Sequence, residues 1–131
     1  MSLRSEALNA FLADGALLPF IYGERDCAIW VADWVKSQNG RDPALRLRRT
    51  FGCAFGSLRL VHRAGGLPAL VTGLMDSLRL SETAQPLLGD VGVISTRKGE
   101  LAAICTGDRW AVKTKDGVAI VKAMPVKAWT V

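Results

Sequence analysis

Apolar residues in the first half of the chain recur three and four positions apart, whereas from Leu88 onward they come in short β-rich runs. Leu8, Phe11 and Leu12 form a helical stripe, with Ser2 or Ser5 placed to cap it and Asp14-Gly15 placed to end it. A stronger stripe follows in Cys27, Trp30, Val31, Trp34 and Val35, at the i, i+3, i+4, i+7, i+8 positions of an amphipathic helix. Asp26 precedes it as a natural N-cap, because a carboxylate there accepts from the free amides of the first turn. Asn39-Gly40 supplies the C-terminal stop. Asp42-Pro43 opens a short turn or helix through Arg49. Ser57 to Ala64 predicts a third helix with Leu58 and Val61 inward and His62 inward or at its boundary. Pro68 opens a fourth, carrying Leu70, Val71 and Leu74.

After a surface connection from Ser77 to Pro86, four runs read as strands: Val91 to Ser95, Leu101 to Thr106, Arg109 to Thr114 and Val118 to Lys122. Arg97-Lys98-Gly99, Gly107-Asp108 and Lys115-Asp116-Gly117 separate them as hairpin signals, and Ala128 to Val131 offers a final strand. Helices followed by an antiparallel meander define an α+β domain. Its 131 residues suit a single domain spanning 1–131.

Composition narrows this picture. Half of the residues are hydrophobic, which predicts a packed interior. No apolar run approaches the ~20 residues that span a bilayer, and Glu6 and Asn9 interrupt the N-terminal pattern as a signal peptide would not. Cys27, Cys53 and Cys105 are odd in number and lack close pairing, which argues against a disulfide framework and for a reducing, cytoplasmic setting or a particle assembled there. With His62 they show none of the short spacings of a zinc site, so neither metal nor cofactor is expected. Cys53 and Cys105 read as core.

Cys27 carries the candidate chemistry. It stands at the first turn of the strongest helix, where the macrodipole draws a thiol toward thiolate, as cysteine hydrolases require. A nucleophile of this kind needs a base, and the chain's single imidazole, His62, lies on a different helical segment.

The order of these elements resembles the papain-like fold in its small bacterial form, the NlpC-type cell-wall peptidases and their phage-associated relatives. Three segments carry the resemblance: Tyr22-Gly-Glu-Arg-Asp-Cys27 running into a helix with Trp30 and Trp34, Gly89-Asp90-Val-Gly-Val-Ile94 at the first core strand, and Ala102-Ala-Ile-Cys-Thr-Gly107-Asp108 at the next. The resemblance implies a papain-like NlpC-type fold with Cys27 at the nucleophile position. It implies binding positions at Asp26, Tyr22, Trp30 and Asp90, for which helix capping, core packing and a turn are the structural alternatives. It also implies a phage or prophage setting, such as tail assembly or the particle itself, with a peptide or a phage structural protein as partner. Where the family places its histidine, this chain has Glu100-Leu101, and no polar residue suited to orient an imidazole stands out between Arg109 and Thr114. Loss of one member of such a catalytic unit costs on the order of 10⁴-fold in rate.

Three readings follow. The first is a diverged, non-catalytic relative of cysteine peptidases or amidases. The second is an active enzyme with Cys27 as nucleophile and His62 or a partner-supplied group as base. The third rests on the net charge of +5 and on Arg41, Arg46, Arg48, Arg49, Arg59 and Arg63. It is a basic nucleic-acid-binding module, and it ranks last because no recognition helix or RNA-binding motif supports it.

Overall fold

Four helices precede five strands in the computed structural model, which describes residues 2–131: α1 (Leu3–Leu17), α2 (Cys27–Asn39), α3 (Ala54–Ala64), α4 (Leu67–Ser77), then β1 (Val91–Thr96), β2 (Gly99–Cys105), β3 (Trp110–Thr114), β4 (Gly117–Val121) and β5 (Pro125–Trp129). The α+β class therefore holds. Ser2 caps α1, its hydroxyl accepting from the Ser5 amide. The helix runs through Gly15, where the sequence suggests a stop, because Gly15 lies against the Trp30 indole: a Cβ there would stand 2.6 Å from Nε1. No basic residue occupies the last turn of α1. Cations from elsewhere bind the carbonyls just beyond it, Lys113 Nζ donating to Leu18 O at 2.6 Å and Arg25 to Pro19 O at 2.9 Å.

Helix α2 has the expected limits. The Asp26 carboxylate accepts from the amides of Ala28 and Ile29, and Gly40 ends the helix in the left-handed conformation. Helix α3 begins at Ala54, earlier than the pattern suggests, because Cys53 caps it: the Cys53 sulfur accepts from the Gly56 amide. Cys53 is thus exposed rather than core, whereas Cys105 is buried. Leu58 also departs from expectation, pointing outward with 69% of its surface exposed.

The strands form one antiparallel sheet in the order β4-β3-β2-β1-β5. One apolar cluster joins α1, α2 and α4 to the face carrying Val91, Val93, Ala102, Ile104 and Ala111, with Trp30 and Trp34 at its centre. The Trp34 indole donates to Gly89 O at 2.8 Å, fixing α2 to the start of β1. A second cluster lies on the opposite face, around Ile94, Ala103, Cys105, Trp110 and Val112.

The sheet is not continuous. β1 and β2 pair along their whole length, from Val91 with Ile104 to Thr96 with Gly99. β2 and β3 pair only at Ile104 with Ala111 and Cys105 with Trp110, and then part.

Candidate functional site

Two loops build the wall beside the start of α2. Gly23 adopts φ +81, donates its amide to Asp26 Oδ2 at 2.8 Å and accepts from the Arg49 amide at 2.9 Å. The loop before α2 is thereby locked to the turn that follows it. Buried Asp26 is satisfied by three amides, those of Gly23, Ala28 and Ile29.

Beyond this wall an apolar cleft of about 470 Å³ opens between α2, α3 and the ends of β2 and β3. Tyr22, Asp26 and Cys27 line one side, Leu58 and Val61 of α3 another, and Leu101, Val112 and Lys113 the strand side. The Tyr22 ring meets Phe20 edge-on at 5.0 Å.

The Cys27 sulfur lies at the parting of the sheet. Residues along a strand present their backbone polar groups to alternate neighbours. Cys105 exchanges hydrogen bonds with the β1 side, donating to Asp90 O and accepting from Gly89 N, so Ala102 faces β3. There it meets no strand partner, and its amide serves the Cys27 sulfur instead. Half-buried Cys27 packs against the apolar clusters on both faces of the sheet. Burial drives its thiol from the ordinary 9.0 up to about 11; the Ala102 amide pulls it down, the Asp26 charge raises it again, and the amides at the helix start offset only part of the rise. At neutral pH the sulfur is a thiol.

The remaining sequence candidates lie elsewhere. His62 is exposed on α3, its position is not among those lining the cleft, and its carbonyl accepts from Gly65. Trp30 is core, its ring 5.2 Å from that of Phe11. Asp90 is buried where β1 begins, accepting from Leu87 N at 2.9 Å, Val131 N at 3.1 Å and Arg4 at 3.3 Å. Both have packing or fastening roles. Leu101 lines the cleft, and so does Glu100.

Lys113 is the residue that sequence reasoning passes over. It is 2% exposed, on the helix-facing side of β3, with Nζ bonded to Leu18 O at 2.6 Å and Gly117 O at 3.3 Å. Burial and, secondarily, the charge of Arg25 hold its ammonium below the ordinary lysine range. The only sequence signal is a cation among apolar residues in Trp110-Ala-Val-Lys-Thr114.

The basic stretch is largely occupied by internal partners. Arg48 pairs with Asp33 and, through two hydrogen bonds, with Asp42; Arg49 pairs with Glu24, and Arg59 stacks on Phe55. Among the described residues no cluster of three or more His, Cys, Asp or Glu could hold a metal ion, and no helix is long and apolar enough to cross a membrane.

No curated protein and no solved structure matches the chain. Residues 2–131 match the family described as Domain of unknown function (DUF6950), and the chain belongs to that family.

Proposed function

We propose that this protein is a diverged papain-like domain of the NlpC type in which the nucleophile position is a packing position and the cleft beside it binds a polypeptide without cutting it. The observation that carries the reading is the state of Cys27. Its sulfur is held as a thiol by burial, with a pKa raised to about 11, and no imidazole lines the cleft among the described residues. An amide hydrolase needs a group that takes the thiol proton and returns it to the leaving amine. Exposed His62 does not line this cleft, and Lys113, already engaged by two carbonyls, is a donor without a free acceptor.

The cleft suits binding. Its wall is mainly aliphatic and aromatic, with the polar groups mostly on the strand side, as in sites that hold apolar side chains. Helix α3 supports this further: it is amphipathic but has no buried residue, and Phe55 and Leu58 are 67% and 69% exposed. On the resemblance to phage-associated relatives, the partner belongs to a phage or prophage particle or its assembly.

The test is to assay peptide and peptidoglycan-fragment hydrolysis by the intact protein and by Cys27→Ala. The expected result is no Cys27-dependent turnover, with peptide binding retained in the variant. Turnover by the parent that Cys27→Ala abolishes would restore the enzyme reading.

A further inference from the structure

The cleft does not end at the sheet. A second apolar cavity of about 270 Å³ lies on the face opposite the helices, lined by Thr96, Arg97, Leu101, Val112, Ala119 and Val121 among others. It shares Lys98, Leu101, Val112 and Thr114 with the cleft. Three of the shared residues, Leu101, Val112 and Thr114, lie where β2 and β3 have parted and Lys98 lies in the turn before β2, so the two cavities meet in the opening between the strands.

That opening has an unfilled hydrogen-bonding edge. Ile104 pairs with Ala111 across it, so residues two and four back on β2 (Ala102 and Glu100) and two ahead on β3 (Lys113) turn their backbone groups into the gap. The Ala102 amide is used by Cys27, while Glu100 and Lys113, paired on their other sides with Ser95 and Val118, have no partner in the β2–β3 register. Strand edges left without a neighbouring strand pair with added extended chains. The mouth is basic. Lys98 lines both cavities, Arg97 lines one and Lys115 the other, against the single exposed acid Glu100. Asp26 is satisfied by backbone amides.

We infer that the opening between β2 and β3 is a slot for an extended segment of a partner polypeptide, with an aliphatic side chain against Leu101 and Val112 and an adjacent carboxylate at Lys98. This rests on the reading of the cleft as a binding site and names its occupant. The carboxylate belongs to an acidic side chain or to a chain terminus.

Three N-acetylated pentapeptides separate the outcomes in a titration of isotope-labelled protein followed by NMR: Ala-Leu-Val-Leu-Glu as the amide, Ala-Leu-Val-Leu-Ala as the free acid, and Ala-Leu-Val-Leu-Lys as the amide. One of the first two should bind about tenfold tighter than the third and shift the amides of Glu100 and Lys113; which one does so identifies the source of the carboxylate. Lys98→Glu, at an exposed position, should erase that preference, and Leu101→Arg should weaken binding at least as much. Equal binding of all three peptides, or none at millimolar concentration, overturns the inference. Binding lost in Leu58→Arg but unchanged in Leu101→Arg and Lys98→Glu also overturns the slot while leaving the cleft as a binding site. Failure of the non-catalytic reading is distinct, because it shows as Cys27-dependent hydrolysis.

Discussion

The Cys27 sulfur and the Ala102 amide meet where β2 has no strand partner on its β3 side. The helix start and the amide both favour a thiolate, and burial between the two sheet faces outweighs them. One residue thereby joins the helical layer to the weakest seam of the sheet.

Alkylation should report this directly. Exposed Cys53 should label first in native protein at pH 7.5, and Cys27 should react slowly, with its rate rising toward a midpoint near pH 11. The folded state holds the Cys27 proton more tightly than the unfolded chain, so this group also lowers stability as pH climbs from 9.0 toward 11. Mass-spectrometric mapping at a series of pH values checks the order. Selective modification of Cys27 at neutral pH would contradict it.

Replacing Lys113 by Met keeps the volume but leaves Leu18 O without its donor and Gly117 O with only the Thr114 hydroxyl at 3.3 Å. Buried acceptors left unmet cost about 1–3 kcal/mol, and the loss should appear in chemical denaturation. Faster amide exchange should follow at the end of α1 and in the β3–β4 turn. An unchanged midpoint would mean that water replaces the lysine.

Asp42 gives the acid limb of the stability profile. Its hydrogen bonds from Arg48 hold the carboxyl below the ordinary 3.8, with the Ala44 amide acting in the same direction. The folded state therefore binds this proton less readily than the unfolded chain. Its contribution is complete above the unfolded pKa and is lost as pH falls through the depressed value. Asp42→Asn should flatten the acid limb of the denaturation midpoint measured against pH, as pH falls through and below the ordinary 3.8, with little change in slope above it.

Gly23→Ala should be among the most damaging small substitutions. Its φ of +81 disfavours any side chain, and an added Cβ would fall 2.0 Å from Phe51 O, a backbone atom. A loss of about 3 kcal/mol or more is expected in thermal or chemical unfolding. Gly40→Ala, at φ +79 with open space around it, should cost about 1 kcal/mol, which separates the clash from the dihedral.

Local chemistry that acts on its own backbone was legible in the chain. Asp26 before an apolar stripe, Gly40 after it and the glycines of the later hairpins each mark an element end through a nearest-neighbour effect. Features decided by distant partners were not. Gly15 reads as a stop until the Trp30 indole is seen to occupy the space a side chain would need. Leu58 fits an inward helical stripe, yet no element packs over it. Lys113 reads as an ordinary strand cation, because the carbonyl that holds it most closely is 95 positions away. The parting of β2 from β3 was not foreseen either, since both segments read as β-rich runs from end to end. The cap of the Cys27 helix could thus be read in advance, whereas the cleft around it could not.

Asp90 has one further consequence. The same carboxylate oxygen takes Arg4 from the first turn of the first helix and the amide of residue 131. Segments at opposite ends of the sequence thus arrive at a single buried carboxylate. A short polar linker could join them without crossing the fold, so new ends cut between exposed Ala84 and Gln85, just past the 81–83 segment that pairs with residues 128–130, should yield a circular permutant that still folds.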